Sequence, residues 1–194
     1  PVVTPEVHRR VMEQVIEPTV RGMAAEGAPY VGFLYAGLMI SPDGVPRVLE
    51  FNCRLGDPET QPLLMRLRSD LVDLAEAALD GRLDQVEARW DPRPALGVVL
   101  AAEGYPGSVR KGDAIEGLEG DAPETKVFHA GTADRDGRVV TAGGRVLCVT
   151  ALGATVAEAQ RRAYARASRI AWSGMHYRRD IGYRAVAREE KKTS

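Results

Sequence analysis

In the stretch Arg47-Val-Leu-Glu-Phe-Asn-Cys-Arg-Leu-Gly-Asp-Pro-Glu-Thr60, a carboxylate, an amide and a guanidinium occupy alternate positions, Glu50, Asn52 and Arg54. Side chains alternate across a strand, so these three share one face while Leu49, Phe51, Cys53 and Leu55 share the other. Glu50 and Asn52 offer hard oxygen ligands suited to Mg²⁺, which takes one or two protein groups and fills its octahedron with water and nucleotide phosphates. Arg54, one step along, has the planar fork that clamps a phosphate or carboxylate through two parallel N–H bonds. The loop that follows adds the carboxylates of Asp57 and Glu59 at the end of the strand, where α/β sheets tend to bind ligands. A solvated strand face is the plainer reading of Glu-x-Asn alone, and the polar loop at its end weighs against that reading.

The elements around this stretch follow from periodicity. Thr4-Pro5 opens a helix as N-cap and first helical residue. Val7, Val11 and Val15 recur at helical spacing, Pro18 predicts a kink or an interruption before Val20, Met23 and Ala24 take up the stripe, and Gly27 is a stop. His8 and the arginines at positions 9 and 10 fall on its solvated side. The almost wholly apolar run Tyr30 to Ile40 predicts a strand covered on both faces. Ser41-Pro-Asp-Gly44 supplies a turn, which makes Arg47 to Leu55 the second strand of a hairpin. Leu63, Leu64, Leu67, Leu71, Ala75, Ala78 and Leu79 predict one helix ending at Gly81, with Arg66, Arg68, Asp73 and Glu76 on its wet side. Trp90-Asp-Pro-Arg-Pro94 breaks the pattern and is the best domain boundary.

Residues 95 to 152 change texture to short β-like runs between glycines, which predicts a compact antiparallel sheet or small barrel. Thr155 and Glu158 form a capping box, and Val156, Ala159, Ala163, Ala167 and Ile170 make the buried stripe of a closing helix. The polar end, Arg188 to Ser194, is expected to fray.

Composition narrows the classes. The chain has 194 residues, 44% of them apolar, enough for a real core in one domain or two small ones. The formal charge of −1, from 27 acidic and 26 basic residues, favours neither nucleic acid nor an anionic membrane as partner. Cys53 and Cys148 sit in apolar strand patterns with no metal-ligand spacing, which predicts reduced core thiols and a cytoplasmic protein. The sequence holds no apolar run of about 18 residues and no charged-then-apolar stretch at its start, which argues against a membrane span or a visible secretion signal. It starts at Pro1 without an initiator methionine, which suggests a fragment, a processed product or a trimmed chain.

The string Glu50-Phe-Asn-Cys-Arg-Leu-Gly-Asp-Pro-Glu-Thr-Gln61 resembles the metal-binding segment of phosphoribosylamine–glycine ligases, ATP-grasp enzymes of purine biosynthesis. Further segments resemble the same family in the same order. They are Gly97-Val-Val-Leu-Ala-Ala-Glu-Gly-Tyr-Pro-Gly107, Val127-Phe-His-Ala-Gly-Thr132, Gly143-Gly-Arg-Val-Leu-Cys-Val-Thr150 and Asp180-Ile-Gly-Tyr-Arg184. The resemblance implies an α+β chain. Residues 1–91 would be the later half of an ATP-grasp domain, residues 92–188 the family's small β-rich, barrel-like carboxy-terminal domain with its closing helix, and 189–194 a tail. It implies an enzyme that joins glycine to 5-phosphoribosylamine, with ATP as co-substrate and Mg²⁺ or Mn²⁺ as cofactor, through a glycyl phosphate. Glu50 and Asn52 would be the metal ligands and Arg54 the catalytic group at the phosphoryl or the glycine carboxylate. Asp57 and Glu59 would orient substrate or metal-bound water, or simply shape the loop.

The partner strand carries no acidic side chain, although many ATP-grasp relatives carry a metal-binding carboxylate there, so the number of ions is left open. The parts that grip ATP would lie in the missing amino-terminal half, and the fragment alone is expected to be inactive. A different class of function, a carrier or other non-catalytic β-rich binding module, is suggested by Glu124-Thr125-Lys126, which looks like the lysine turn of swinging-arm domains. His129 reads as a hydrogen-bonded structural histidine, and His176 and Tyr177 lie in a polar loop that could face a nucleotide.

Overall fold

The computed structural model describes residues 3–120 and 122–193. Helix α1 (Pro5–Val11) runs through a π-helical turn (Met12–Ile16) into α2 (Glu17–Ala25), followed by strands β1 (Tyr35–Ile40) and β2 (Pro46–Asn52). Helices α3 (Thr60–Arg66) and α4 (Leu71–Leu79) and a 3₁₀ turn (Leu83–Gln85) come next. Strands β3 (Ala95–Ala101), β4 (Thr125–His129), β5 (Thr132–Arg135), β6 (Arg138–Thr141) and β7 (Arg145–Leu152) precede helices α5 (Val156–Ala167) and α6 (Tyr183–Thr193). Every pairing among these strands is antiparallel, giving an α+β architecture. The chain forms two compact units, Pro1–Asp57 with Ser69–Arg89, and Pro58–Arg68 with Trp90–Ser194. The last crossing, between Arg89 and Trp90, falls beside the Trp90–Pro94 breaker. Residues 58–68 cluster with the second unit, because α3 packs on β3 and β7.

In the first unit, Thr4 caps α1 by accepting from the Val7 amide at 3.2 Å. The helix does not break at Pro18. Its hydrogen bonding widens to π geometry over Met12–Ile16, with the Glu17 amide reaching back to the Met12 carbonyl. Pro18 has no N–H to offer the Gln14 carbonyl, and a wider turn upstream absorbs the misfit without ending the helix. Strands β1 and β2 form a two-stranded hairpin closed by the Ser41–Val45 turn, where Gly44 adopts a φ of +79°. The expectation that the first strand is covered on both faces fails. The strand is only Tyr35–Ile40, and none of its residues is buried. The partner strand's apolar side is likewise open, Leu49 being 65% and Phe51 40% exposed.

The single helix expected over Leu63–Gly81 is two. Leu67 turns extended after α3, and the Asp70 side chain accepts from the Val72 amide at 2.8 Å to start α4 afresh. The arginines read as its wet side are partly structural. Arg66 donates to the Asp91 carbonyl, and Arg68 and Arg93 both pair with the Asp91 carboxylate, which is only 2% exposed. These hydrogen bonds, that of the Arg93 side chain foremost, hold the Asp91 carboxyl below the usual carboxylate range. Arg93 also pairs with Glu124 at 2.9 Å, tying the breaker to the start of β4.

The second unit centres on β7, which lies between β3 and β4. Val146, Leu147, Val149 and Ala151 in it are fully buried, as are Ala159, Ala163 and Ala167 of α5. The alanines let the helix approach the sheet closely. Half of the capping box forms, the Glu158 amide donating to Thr155 Oγ1 at 3.1 Å, while Glu158 Oε2 accepts from the Ala154 amide at 2.7 Å, one residue before the N-cap. No barrel closes among the described residues. β3 and β4 each pair with β7 on opposite edges, and β5 and β6 form a separate hairpin. Helices α5 and α3 cover β7, so its strand is buried without closure.

The expected frayed tail is helical through Thr193, with Ser194 outside the described residues. Glu189 accepts from the Val156 and Ala157 amides at 2.9 and 3.2 Å, capping α5 and holding α6 in place. The two cysteines also part company: Cys148 is a buried thiol in β7, whereas Cys53 lies just past the end of β2 and is exposed. No helix among the described residues is long and apolar enough to cross a membrane.

Candidate functional site

The strand–loop segment lies at the end of the hairpin in the first unit. Glu50 and Asn52 alternate along β2 and their side chains meet, the Asn52 amide nitrogen donating to Glu50 Oε1 at 3.2 Å. The pairing strand makes this possible. Glu50 stands opposite Gly37, and a Cβ built on that glycine would lie 3.0 Å from the Glu50 Cγ. A side chain there would make the Glu50 Cγ give by a few tenths of an ångström. The sequence carried one signal of this, a glycine inside an apolar strand, which often marks close approach.

Arg54 lies beyond β2 and is exposed, its Nη1 donating to the neighbouring Leu55 carbonyl at 2.9 Å. Asp57 is an exposed loop residue following the buried Gly56, and it closes the first unit. Glu59 stands directly before α3 in the second unit, and its side chain makes no capping bond to that helix. The hydrogen-bonded pair is thus Glu50 with Asn52. Among the described residues no group of three or more His, Cys, Asp or Glu side chains converges as a metal cluster. What the pair offers is a carboxylate and an amide oxygen side by side on an exposed strand face. That donor set fits a hard cation whose other ligands are water and phosphate oxygens. The Tyr30 hydroxyl, which donates to the Phe33 carbonyl at 2.6 Å, is pushed above its ordinary value by desolvation and by its hydrogen bond to Cys53.

Three other sequence candidates have plain placements. Lys126 is inside β4, opposite Thr150, with its ammonium 5.9 Å from the Phe128 ring centre. A swinging-arm lysine needs the tip of a turn, so the carrier reading loses its structural basis. His129 is exposed and bonded to Thr132 Oγ1 at 3.1 Å. His176 pairs its backbone with Ala101 in the second unit, beside a cavity of about 430 Å³ that Arg145 and Arg178 also line. Neither arginine stood out in the sequence, since each sits in a local pattern explained by strand or loop chemistry.

Two domain models of one family match the chain. The ATP-grasp (A) domain of phosphoribosylglycinamide synthetase covers residues 1–60, which include the whole strand–loop segment, and the C domain covers residues 95–184. The chain belongs to the phosphoribosylamine–glycine ligase family. Similar curated ligases of that name include those of Vibrio parahaemolyticus, 65% identical over 193 residues, and Pseudomonas aeruginosa, 66% identical over 190 residues. The first alignment covers 99% of this chain and 45% of the relative, and the second 97% and 44%. The chain therefore spans under half the length of these ligases. The crystal structure of the Thermotoga maritima ligase superposes with a TM-score of 0.79 at 41% identity, covering 93% of this chain and 44% of that one. The biotin carboxylase domain of the Hydrogenobacter thermophilus 2-oxoglutarate carboxylase, solved with MgADP, ADP and bicarbonate, shares the fold at a TM-score of 0.60 and 15% identity. It covers 91% of this chain and 38% of that one.

Proposed function

We propose that this chain is the carboxy-terminal portion of a cytoplasmic ligase that joins glycine to 5-phosphoribosylamine at the expense of ATP. The products are glycinamide ribonucleotide, ADP and phosphate. Residues 1–91 belong to its ATP-grasp domain, 92–188 to its carboxy-terminal domain, and 189–194 to its end. The observation that carries this reading is the order of matches, an ATP-grasp segment and then the family's C domain, along one chain.

In the reaction a glycine carboxylate oxygen attacks the γ-phosphorus and ADP leaves. The amine of the sugar then attacks the acyl carbon of glycyl phosphate, and phosphate leaves. Attack of one anion on another demands that the spreading charge be neutralised by groups already in place. Glu50 and Asn52 would hold a divalent cation, Mg²⁺ or Mn²⁺, whose chemistry is to neutralise phosphate charge. Arg54 exchanges its bond to the Leu55 carbonyl for the transferred phosphoryl group or the glycine carboxylate, a short swing for an exposed side chain. Asp57 and Glu59 orient substrate or water. The parts that grip the nucleotide belong to the amino-terminal half of the enzyme, which acts as this chain's partner.

The test is turnover in the full-length enzyme. Glu50→Ala and Asn52→Ala are expected to lower kcat/KM by at least about a hundredfold, since even outer-shell partners of metal ligands cost 10- to 100-fold. Melting temperature should hardly move, because Glu50 is exposed and Asn52 half-buried. Wild-type turnover in either variant at saturating metal would remove the assignment.

A further inference from the structure

We propose that Tyr30 is a positioning residue for Arg54: its hydroxyl fastens the loop before β1 to the turn after β2 and so sets the path on which Arg54 leaves the strand. This rests on the ligase reading, in which Arg54 meets the reacting groups. The hairpin does not set that path by itself. Glu50 and Asn52 are held within its ladder, opposite Gly37 and Tyr35. The ladder ends at the pair Tyr35 and Asn52, and Cys53 and Arg54 lie beyond this last rung. Of the three alternating polar residues, the arginine is the one that strand pairing leaves unframed.

The Tyr30 hydroxyl supplies the missing rung. A phenol has one proton to give and an oxygen that can accept. The proton goes to the Phe33 carbonyl at 2.6 Å. The hydrogen bond between Tyr30 and the Cys53 thiol is therefore made with the tyrosine oxygen as acceptor and the S–H as donor. Phe33 precedes β1 and Cys53 follows β2, so one oxygen joins the chain entering the hairpin to the chain leaving it. Gly32 turns the backbone beneath that oxygen. Its φ is +145°, where glycine alone is at ease, and a Cβ built on it would lie 3.4 Å from the Tyr30 hydroxyl. The tyrosine has two side-chain torsions to order, so the link costs little entropy. Arg54 comes directly after Cys53, is exposed, and rests its Nη1 on the Leu55 carbonyl. A long side chain carries any error in its backbone direction to its tip. Reacting groups tolerate little of it, since about an ångström of misplacement can cost about a hundredfold in rate.

The experiment places Tyr30→Phe, which removes a single oxygen, in this chain and in the full-length enzyme. In this chain the backbone amide NMR signals of Phe33, Cys53 and Arg54 are expected to shift while those of β3 and β7 stay in place. In the full-length enzyme kcat/KM is expected to fall about tenfold, part of the hundredfold that misplacement can cost. Cys53→Ala should lose as much, and Cys53→Ser, which keeps a donor at that position, should recover most of the rate. The deciding readout is a double-mutant cycle with Arg54→Met. A residue that acts through Arg54 adds no loss once the guanidinium is gone, whereas a general weakening of the loop multiplies with it. Tyr30→Phe in the Arg54→Met background is therefore expected to change kcat/KM by less than about twofold. A further loss there as large as in the wild-type background would overturn the proposal, as would amide signals at Cys53 and Arg54 that do not move. Wild-type turnover by Tyr30→Phe beside a crippled Arg54→Met sinks the positioning role alone. Wild-type turnover by Arg54→Met sinks the role of Arg54 in the ligase reading, and the proposal with it.

Discussion

At Glu50 and Asn52 two oxygen-bearing side chains on one strand face are held 3.2 Å apart by a weak neutral–ionic hydrogen bond. Such a bond orients both groups yet is readily surrendered to a cation, because Glu50 keeps Oε2 and the Asn52 amide keeps its oxygen. Gly37 opposite supplies the space, so the pair depends on a residue with no chemistry of its own. A second residue-scale feature is Asp91, a buried carboxylate held by Arg93 and Arg68. Its carboxyl lies below its ordinary value in the fold, so it stabilises the folded chain fully above about pH 3.9, the unfolded value. That contribution is lost as pH falls below this value toward the lowered one. Asp91→Asn is expected to lower the melting temperature by several degrees at pH 7 and to flatten the acid side of the stability profile. Thermal melts of both proteins between pH 7 and 2 check the two effects, and parallel curves would refute the assignment.

At the scale of elements, helix α6 is ordered by what it does for α5. The first amides of a helix have no partner within it, and a carboxylate placed there also meets the positive end of the helix dipole. Thr155 satisfies one such amide, and Glu189, from 33 residues along the chain, satisfies two more. Glu189→Ala should therefore cost about 1 kcal/mol, the usual loss of a cap, and lower the melting temperature by roughly 2–4 °C for a chain of this size. Limited proteolysis should cut within 183–193 faster in the variant, and unchanged cleavage would show that α6 stands without the contact. The β1–β2 hairpin is the opposite case. Its strands present Met39, Leu49 and Phe51 to solvent, and a hairpin alone is marginal in water, so it leans on its contact with α1 and the π-helical turn and on the Arg10 bond to the Asp43 carbonyl.

At the scale of the molecule, the chain covers 45% of the length of its Vibrio parahaemolyticus relative. Catalysis by positioning requires all reacting groups in one preorganised site, and the gain from holding them reaches about 7–11 kcal/mol. The chain by itself is accordingly expected to release no phosphate from ATP in the presence of glycine and 5-phosphoribosylamine, and the full-length enzyme to turn over. A phosphate-release assay on the two side by side reads the difference. Turnover by the shorter chain would mean that the nucleotide is gripped by residues within it.

That Glu50 and Asn52 share one strand face was legible in the sequence because strand alternation is a local rule, whereas the roles given to them and to Arg54, Asp57 and Glu59 belong to the proposal. The hairpin, the caps at Thr4 and Thr155, the alanine stripe of α5 and the breaker at Trp90–Pro94 were legible for the same reason: each depends on neighbours within a few positions. What needed the tertiary structure was every feature whose partner is distant in the chain. Arg68 reads as a solvated helix residue until Asp91 is beside it, and Glu189 as a tail residue until the amides of α5 are. Leu67 reads as a helical position until the Asp70 cap restarts the helix, and the β-rich half as a barrel until two helices cover β7. Arg145, His176 and Arg178 share no spacing rule, and only the pairing of β3 with β7 and of Ala101 with His176 gathers them around one cavity.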